Sequence, residues 1–182
     1  MAEESRQIVR AGLAAHLARL WRYGFVLSGN ADIAEDLVQA TCARALERAH
    51  QFRAGTRLDR WLFTILRSIW LNELRARRIR EGRGFVDAAD ALHFDGANQV
   101  ETNILAAQVL KEVLALPEAQ RETVLLVYVE GLIYREAAES LDVPVGTIMS
   151  RLAAARAKLG ALNAEPDGEA GKKNKDDDRG QG

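Results

Sequence analysis

The sequence predicts an all-α protein in which two small helical domains are joined by a flexible linker. Ala, Leu, Arg and Glu recur throughout the 182 residues, whereas proline and β-branched clusters are sparse. Apolar residues recur at helical spacing on both sides of residues 82–101. That stretch loses the periodicity and is rich in Gly, Asp, Asn and Gln, so we expect it to be the linker.

Three helices are predicted before the linker. The first runs from about Val9 to Leu27. Asn30 can cap the second, which runs to about Ala49, and acidic residues in its first turns suit the positive end of the helix dipole. A loop at 52–57 precedes the third helix, 58–80, whose end is dense in arginine. The expected inward residues are Leu13, Leu17, Leu20 and Gly24, then Ile33, Leu37, Ala40 or Thr41 and Ala45, then Leu58, Leu62, Ile65 and Ile69.

Four helices are predicted after the linker. They cover about 102–114, 118–129, 133–141 and 144–159, and Gly131 closes the second of them. The second should be mostly buried because it is so apolar. Residues 164–182 carry almost no apolar side chains, so we expect a disordered tail. The expected inward residues are Leu105, Val109 and Val113 in the first of these helices and Ile148, Leu152, Ala155 and Leu159 in the last.

The last two helices predict a helix-turn-helix, since Ala137 and Ala138 would let them cross closely. The second would then enter the major groove and present Thr147, Ser150 and Arg151. From spacing alone, an ordinary helical hairpin in a bundle remains the alternative. The recognition surface is rich in alanine, so we expect weak intrinsic DNA affinity.

Two charged surfaces stand out in the first domain. The arginine-rich end of the third helix, near aromatic rings, suits nucleic acid, because bases stack on rings while phosphates meet guanidinium groups. The second helix has an acidic face, and taken alone such a face is most often just solvated. The aromatic rings could equally be core residues.

Other classes of protein are poorly supported. His16, His50 and His93 are scattered, and the sequence contains no nucleophile motif or phosphate-binding glycine loop, so we predict neither an enzyme nor a cofactor. The lone Cys42 cannot form an internal disulfide, and no Cys/His cluster predicts a metal site. We find no secretory signal or spanning segment, and expect a cytoplasmic protein without membrane insertion or a small-molecule substrate.

Four stretches together resemble the extracytoplasmic-function (ECF) sigma factors of bacteria. They are DIAEDLVQATCARALERAHQF (32–52), GTRLDRWLFTILRSIWLNELRARR (55–78), LPEAQRETVLLVYVEGLIYREAAESL (116–141) and PVGTIMSRLAAARAKL (144–159). The match extends over about residues 10–160 in the family's order and spacing. The resemblance implies a transcription initiation factor whose first domain (1–81) docks on core RNA polymerase and opens the minus-ten element. Its second domain (102–163) would recognise the minus-thirty-five element of promoter DNA.

The resemblance also implies site residues. The DLVQ stretch matches the main polymerase-docking motif, which would contact a basic coiled coil; the docking set is Asp32, Glu35, Asp36 and Gln39. The minus-ten set is Phe52, Arg53, Arg57, Arg60, Arg67, Asn72, Arg75 and Arg78. The minus-thirty-five set is Arg135, Thr147, Met149, Ser150, Arg151 and Arg156.

The net charge of −1 is low for a DNA-binding protein, but acidic and basic surfaces are segregated for two partners. The linker would also allow the domains to pack together and hide basic surface until core enzyme separates them. The family further implies an anti-sigma factor and a stress- or signal-responsive role. Ala40, Cys42 and Met149 depart from common family residues, which concerns affinity and promoter sequence. A helix-turn-helix repressor and a sigma-like decoy that only occupies an anti-sigma factor are the alternatives.

Overall fold

The computed structural model describes residues 2–80 and 104–163, and every regular element in these ranges is helical, which confirms the all-α prediction. The expected linker and tail lie outside the described residues. The α-helices are α1 (Ala2–Ser28), α2 (Ala31–Glu47), α3 (Leu58–Arg80), α4 (Ile104–Leu114), α5 (Glu118–Val124), α6 (Tyr134–Leu141) and α7 (Val145–Asn163). A 3₁₀ turn (Ala49–Gln51) follows α2, and a π-helical turn (Leu125–Val129) continues α5.

Helices α1–α3 pack on one another and form the N-terminal bundle. As predicted, Asn30 caps α2: its side-chain oxygen accepts a hydrogen bond from the backbone N–H of Ile33 at 3.0 Å. Helices α1 and α2 cross closely at Gly24, where a Cβ atom would lie 3.2 Å from the Cα of Ala34. This close crossing fixes which side of α2 faces solvent.

Helices α4–α7 form the C-terminal bundle, with α7 at its centre. The predicted α7 stripe is confirmed, since Ile148, Leu152 and Ala155 are almost fully buried. Gly131 adopts a positive φ of 69° and ends the π-helical turn, as expected for a helix-closing glycine. Helices α6 and α7 form the predicted helix-turn-helix, in which Ala137 and Ala138 are buried.

Four details of the predicted pattern are wrong. Leu17 is 42% exposed and Val109 is 51% exposed, because neither helix is covered on the whole width of its apolar stripe. The helix expected at 118–129 is α-helical only to Val124, and the π-helical turn rotates Tyr128 and Val129 outward, where both are more than half exposed. Helix α1 also begins seven residues earlier than its periodicity suggested, at Ala2 rather than Val9.

The two bundles pack against each other, as the sequence allowed. Helix α1 contacts α5, and α3 contacts α6, so the buried apolar residues of both bundles form one contiguous cluster. We call this contact region the junction. In the described part of the chain, no helix is both long enough and apolar enough to cross a membrane.

Candidate nucleic-acid and partner interfaces

The acidic surface of α2 is fully available to a partner. The helix buries Ala34, Leu37, Thr41 and Ala45 on its inner side. The opposite side exposes the docking set, Asp32, Glu35, Asp36 and Gln39, which we call the docking face. Within the described residues, none of these four side chains forms a hydrogen bond or ion pair. The docking face therefore presents uncompensated negative charge to solvent.

Helix α7, the predicted recognition helix, presents most of the predicted minus-thirty-five set. Met149 is 55% exposed, and Arg135, Ser150 and Arg156 are exposed as well. Thr147 is half-buried, and its carbonyl accepts a hydrogen bond from Ser150 Oγ at 3.0 Å. Arg151 is half-buried, and its Nη1 is a buried atom that lacks a hydrogen-bond partner within the described residues. This surface is open to DNA.

The predicted minus-ten set is divided between exposed, engaged and buried side chains. Arg53, Asn72 and Arg75 are exposed and Arg78 is half-buried; Asn72 accepts a hydrogen bond from Arg75 at 3.0 Å. Phe52 is only 3% exposed and packs against Trp61, with 5.4 Å between ring centroids. In this arrangement the Phe52 ring belongs to the bundle core, and its place in the minus-ten set stays a prediction.

Arg57 is held at the start of α3 by Asp59. Its guanidinium donates to both carboxylate oxygens, at 3.2 and 2.7 Å, and the backbone N–H of Arg60 donates to the same carboxylate. Burial alone would raise the pKa of Asp59, but these hydrogen bonds and the nearby charge of Arg19 lower it to about 2. Asp59 thus stays ionised and fixes the direction of Arg57.

Three arginines of the minus-ten set pair with carboxylates of the C-terminal bundle. Arg57 donates to Glu136 at 3.0 Å, and Arg60 donates to Glu139 while lying 3.7 Å from Glu136. Arg67 donates through Nε to Glu122 at 3.0 Å. Nearby, Arg19 and Arg22 both bond Glu130, at 2.5 and 3.0 Å.

The centre of the junction is polar and buried. Glu122 is 4% exposed and accepts a second hydrogen bond from the buried Tyr23 hydroxyl at 2.5 Å. Burial raises the pKa of Glu122, although the charge of Arg67 opposes the change. Trp70 Nε1 donates to Glu118 at 2.9 Å, and Arg121 donates to the carbonyl of Leu27 at 3.3 Å. The junction thus joins the bundles through specific polar contacts as well as apolar packing.

Sequence reasoning missed the acidic partners in this junction. We call them the junction carboxylates: Glu118, Glu122, Glu130, Glu136 and Glu139. One feature of the sequence could have indicated them. Glu122 lies two residues before the apolar run 124–129, where a buried carboxylate needs a partner, but nothing in the local pattern identifies that partner as Arg67, 55 residues earlier.

Two family models match this chain, one for each bundle. A model described as Sigma-70 region 2 matches residues 13–79, and one described as Sigma-70, region 4 matches residues 106–159. The first spans most of the N-terminal bundle, and the second spans the helix-turn-helix. The order of the two matches along the chain is the order in which the bundles occur.

Several characterised proteins are similar over most of their length. The ECF RNA polymerase sigma factor EcfG of Rhodopseudomonas palustris is 40% identical over 157 residues, covering 85% of this chain and 84% of the relative. SigC of Mycobacterium tuberculosis is 33% identical over 166 residues, covering 91% and 88%. The sigma factor RpoE of Bartonella quintana, solved in complex with the anti-sigma factor NepR, superposes with a TM-score of 0.68 at 31% identity, covering 84% and 94%.

Proposed function

The chain belongs to the ECF RNA polymerase sigma factors, and we propose that it binds core RNA polymerase through its N-terminal bundle and directs initiation at promoters with two upstream elements. The observation that carries this proposal is the separation of charge within one bundle. The docking face on α2 is acidic and free, whereas the arginines of α3 form a different, basic surface. The two surfaces of this bundle are therefore suited to two different partners, a basic protein surface and DNA.

Each surface has a defined part in the proposed activity. The docking face, centred on Asp36 and Gln39, contacts the polymerase. The α3 arginines hold the minus-ten strand once the duplex opens, and single-stranded bases stack on aromatic or guanidinium planes. Helix α7 enters the major groove of the minus-thirty-five element, with Arg151 as the side chain able to bond guanine. The chain performs no catalysis in this scheme, since the polymerase supplies it.

An anti-sigma factor is the proposed regulatory partner. Support comes from a similar protein, RpoE of Bartonella quintana, which was solved with its anti-sigma factor NepR. A stress- or signal-responsive role follows from such control. We place the protein in the bacterial cytoplasm, where core polymerase and promoter DNA are found.

The proposed function is tested by transcription in a purified system. Sigma-free core RNA polymerase is given fragmented genomic DNA, with and without the protein, and the 5′ ends of the transcripts are sequenced. We expect new, discrete start sites that share two upstream motifs. The absence of new starts would contradict the proposal, and if the protein still bound an anti-sigma factor it would instead favour a decoy.

The same system can separate the two DNA elements. A promoter found in this way is rebuilt with its minus-thirty-five element scrambled, and separately with its minus-ten element scrambled. Initiation should fall in both cases, with polymerase binding unchanged. Equal transcription from the intact and scrambled templates would contradict the assignment of the two bundles to the two elements.

A further inference from the structure

We propose that helix α7 recognises the C5-methyl group of a thymine in the minus-thirty-five element through an apolar ridge centred on Met149. This readout rests on the proposed function, since it requires α7 to lie in the major groove of that element. It adds a thymine to the guanine that Arg151 is able to bond. The apolar ridge consists of Val145, Met149 and Ala153, which follow one another at intervals of four residues and therefore share one side of α7.

The apolar ridge is exposed to solvent, although its side chains are apolar. Met149 is 55% exposed, Val145 is 41% exposed, and Ala153 is exposed as well. The core of the C-terminal bundle is filled by a separate stripe of α7 that includes Ile148 and Leu152, both fully buried. Packing of the bundle therefore does not account for Met149, and more than half of its side chain is free to contact a ligand.

The charges around the apolar ridge favour DNA as its ligand. Helix α7 contains no acidic residue, whereas Arg151, Arg156 and Lys158 lie on it and Arg135 lies on the preceding helix. Among the described residues, none of these four cations is paired with a carboxylate. Phosphates on either strand of a duplex can therefore meet free positive charge around the ridge, which an apolar protein partner would leave unused.

The chemistry of the apolar ridge selects thymine among the four bases. Its side chains carry no hydrogen-bond donor, and a methionine thioether is only a weak acceptor. The adjacent Ser150 donates its hydroxyl hydrogen to the carbonyl of Thr147 at 3.0 Å. Thymine presents an apolar methyl group in the major groove, whereas the donors and acceptors of the other bases would lie unpaired against the ridge. A thymine opposite Met149 is therefore favoured.

Met149 should provide most of this contact. At the neighbouring Gly146, an added Cβ atom would meet nothing within 4 Å among the described residues, so the surface beside the ridge is open to a base pair. Ala153 has only a methyl group and allows the helix to approach closely. The unbranched side chain of Met149 extends further and can adjust its shape to the thymine methyl group.

The first test removes single methyl groups from the DNA. Core polymerase carrying the wild-type protein is bound to promoter duplexes in which each thymine of the minus-thirty-five element is replaced in turn by deoxyuridine, which keeps the base pair and lacks the methyl group. Affinity is measured by competition with a labelled intact promoter. At the thymine opposite Met149, binding should weaken about three- to fivefold, as expected for one buried methyl group. Deoxyuridine between the two promoter elements should have no effect.

The second test changes the ridge. Met149→Leu keeps an apolar side chain and should retain the preference for thymine over deoxyuridine. Met149→Gln has nearly the same length but polar end atoms, and it should bind the two duplexes equally. Val109→Gln is the matched control, because it introduces the same amide at an apolar side chain of similar exposure, 51%, on α4. That control should keep the wild-type preference, and circular dichroism checks the helicity of all three variants.

The results that would overturn the methyl readout differ from those that would overturn the proposed function. If the wild-type protein did not distinguish an intact from a scrambled minus-thirty-five element, the proposed function would fail and the readout with it. If it did distinguish them but no deoxyuridine weakened binding, or if the element contained no thymine, only the readout would be overturned. A thymine preference that survived in Met149→Gln would also overturn it, and weaker binding of that variant to core polymerase would then identify the ridge as a protein contact.

Discussion

The N-terminal bundle has two charged surfaces, and they are in opposite states. The docking face on α2 is exposed, and its side chains are unpaired within the described residues. The arginines at the start of α3 are engaged by the C-terminal bundle, with Arg60 and Arg67 only 26% and 22% exposed. The free protein is therefore ready for a basic protein partner before it is ready for a DNA strand.

This difference gives a physical order to assembly. A chain that exposed all its arginines would bind DNA without sequence preference wherever it met it, because phosphate contacts dominate affinity. Covering them with carboxylates of the same chain should suppress that binding, while the docking face that we propose for the polymerase stays exposed. We expect polymerase binding to precede minus-ten binding, and the predictions below test each side of the comparison.

The largest effect should come from reversing charge on the free surface. Asp36→Arg should weaken binding to core polymerase by more than about 100-fold, because like charges at an interface cost several kcal/mol. Helicity and thermal stability should not change, since the side chain is exposed. Affinity is measured by competition for labelled core enzyme.

Glu47→Arg is the control for that experiment. It makes the same charge change at an exposed position of α2, about 16 Å along the helix from Asp36. Its affinity should stay within a few-fold of the wild type. Equal losses in both variants would mean that overall charge, and not the docking face, governs polymerase binding.

The next prediction changes the position of the docking face and leaves its charge unchanged. Gly24→Val should destabilise the protein by about 1–3 kcal/mol, since a Cβ atom at this position would lie 3.3 Å from the carbonyl oxygen of Ala34. The added atoms push α2 away from α1 and displace the docking face with its charge intact. Chemical denaturation measures the loss, and polymerase affinity should fall with it.

A glycine with free space around it provides the control. At Gly160 on α7 a Cβ atom would meet nothing within 4 Å among the described residues, so Gly160→Val should leave stability nearly unchanged. If both glycine variants unfolded at the same denaturant concentration, the close crossing of α1 and α2 would have no energetic significance.

A smaller effect is expected at the DNA-binding surface that the junction leaves open. Arg151→Ala should reduce the preference for an intact over a scrambled minus-thirty-five element by about 1–3 kcal/mol, or roughly 10- to 100-fold, because a bidentate contact to a base is lost. Arg156→Ala should instead weaken binding to both templates about equally, since we expect that side chain to meet phosphate. Identical behaviour of the two variants would contradict the recognition role of Arg151.

The elements of both bundles could be predicted from the sequence because they depend on local patterns. The Asn30 cap, the closing Gly131 and the α7 stripe are properties of short stretches, and the structure confirms them. Whether the side chains of each charged surface are free or paired could not be predicted from such local patterns. Whether Arg67 is free depends on Glu122, and the packing of one bundle on the other decides that contact. The exposures of Leu17 and Val109 likewise depend on which stripes the neighbouring helices cover.

The smallest effect should be a dependence of closure on pH. Burial raises the pKa of Glu122, with the negative charge of Glu118 adding to the rise and the Arg67 guanidinium and the Tyr23 hydroxyl opposing it. The carboxyl therefore has a higher pKa when the bundles are closed than when it is solvated. Closure binds protons, so lowering the pH from neutral toward about 5 should increase the closed fraction, and raising the pH should reverse this.

Asp59, whose partners all lie in the N-terminal bundle, should affect the stability of that bundle in the opposite direction and at lower pH. Its pKa of about 2 lies below the ordinary value near 4, so its stabilising contribution is complete above pH ~4 and is lost as the pH falls toward 2. The measurement uses spin labels at Glu47→Cys on α2 and Lys158→Cys on α7 in a Cys42→Ser background. Because Asp59 stays ionised between pH 7.5 and 5, the distance between the two labels should shorten over this range through protonation of Glu122, before any acid unfolding. Glu122→Gln should remove that shift, because the amide does not titrate. If the distance still shortened on acidification in Glu122→Gln, groups other than Glu122 would cause the pH dependence. Closure of the bundles would then not depend on the charge of Glu122.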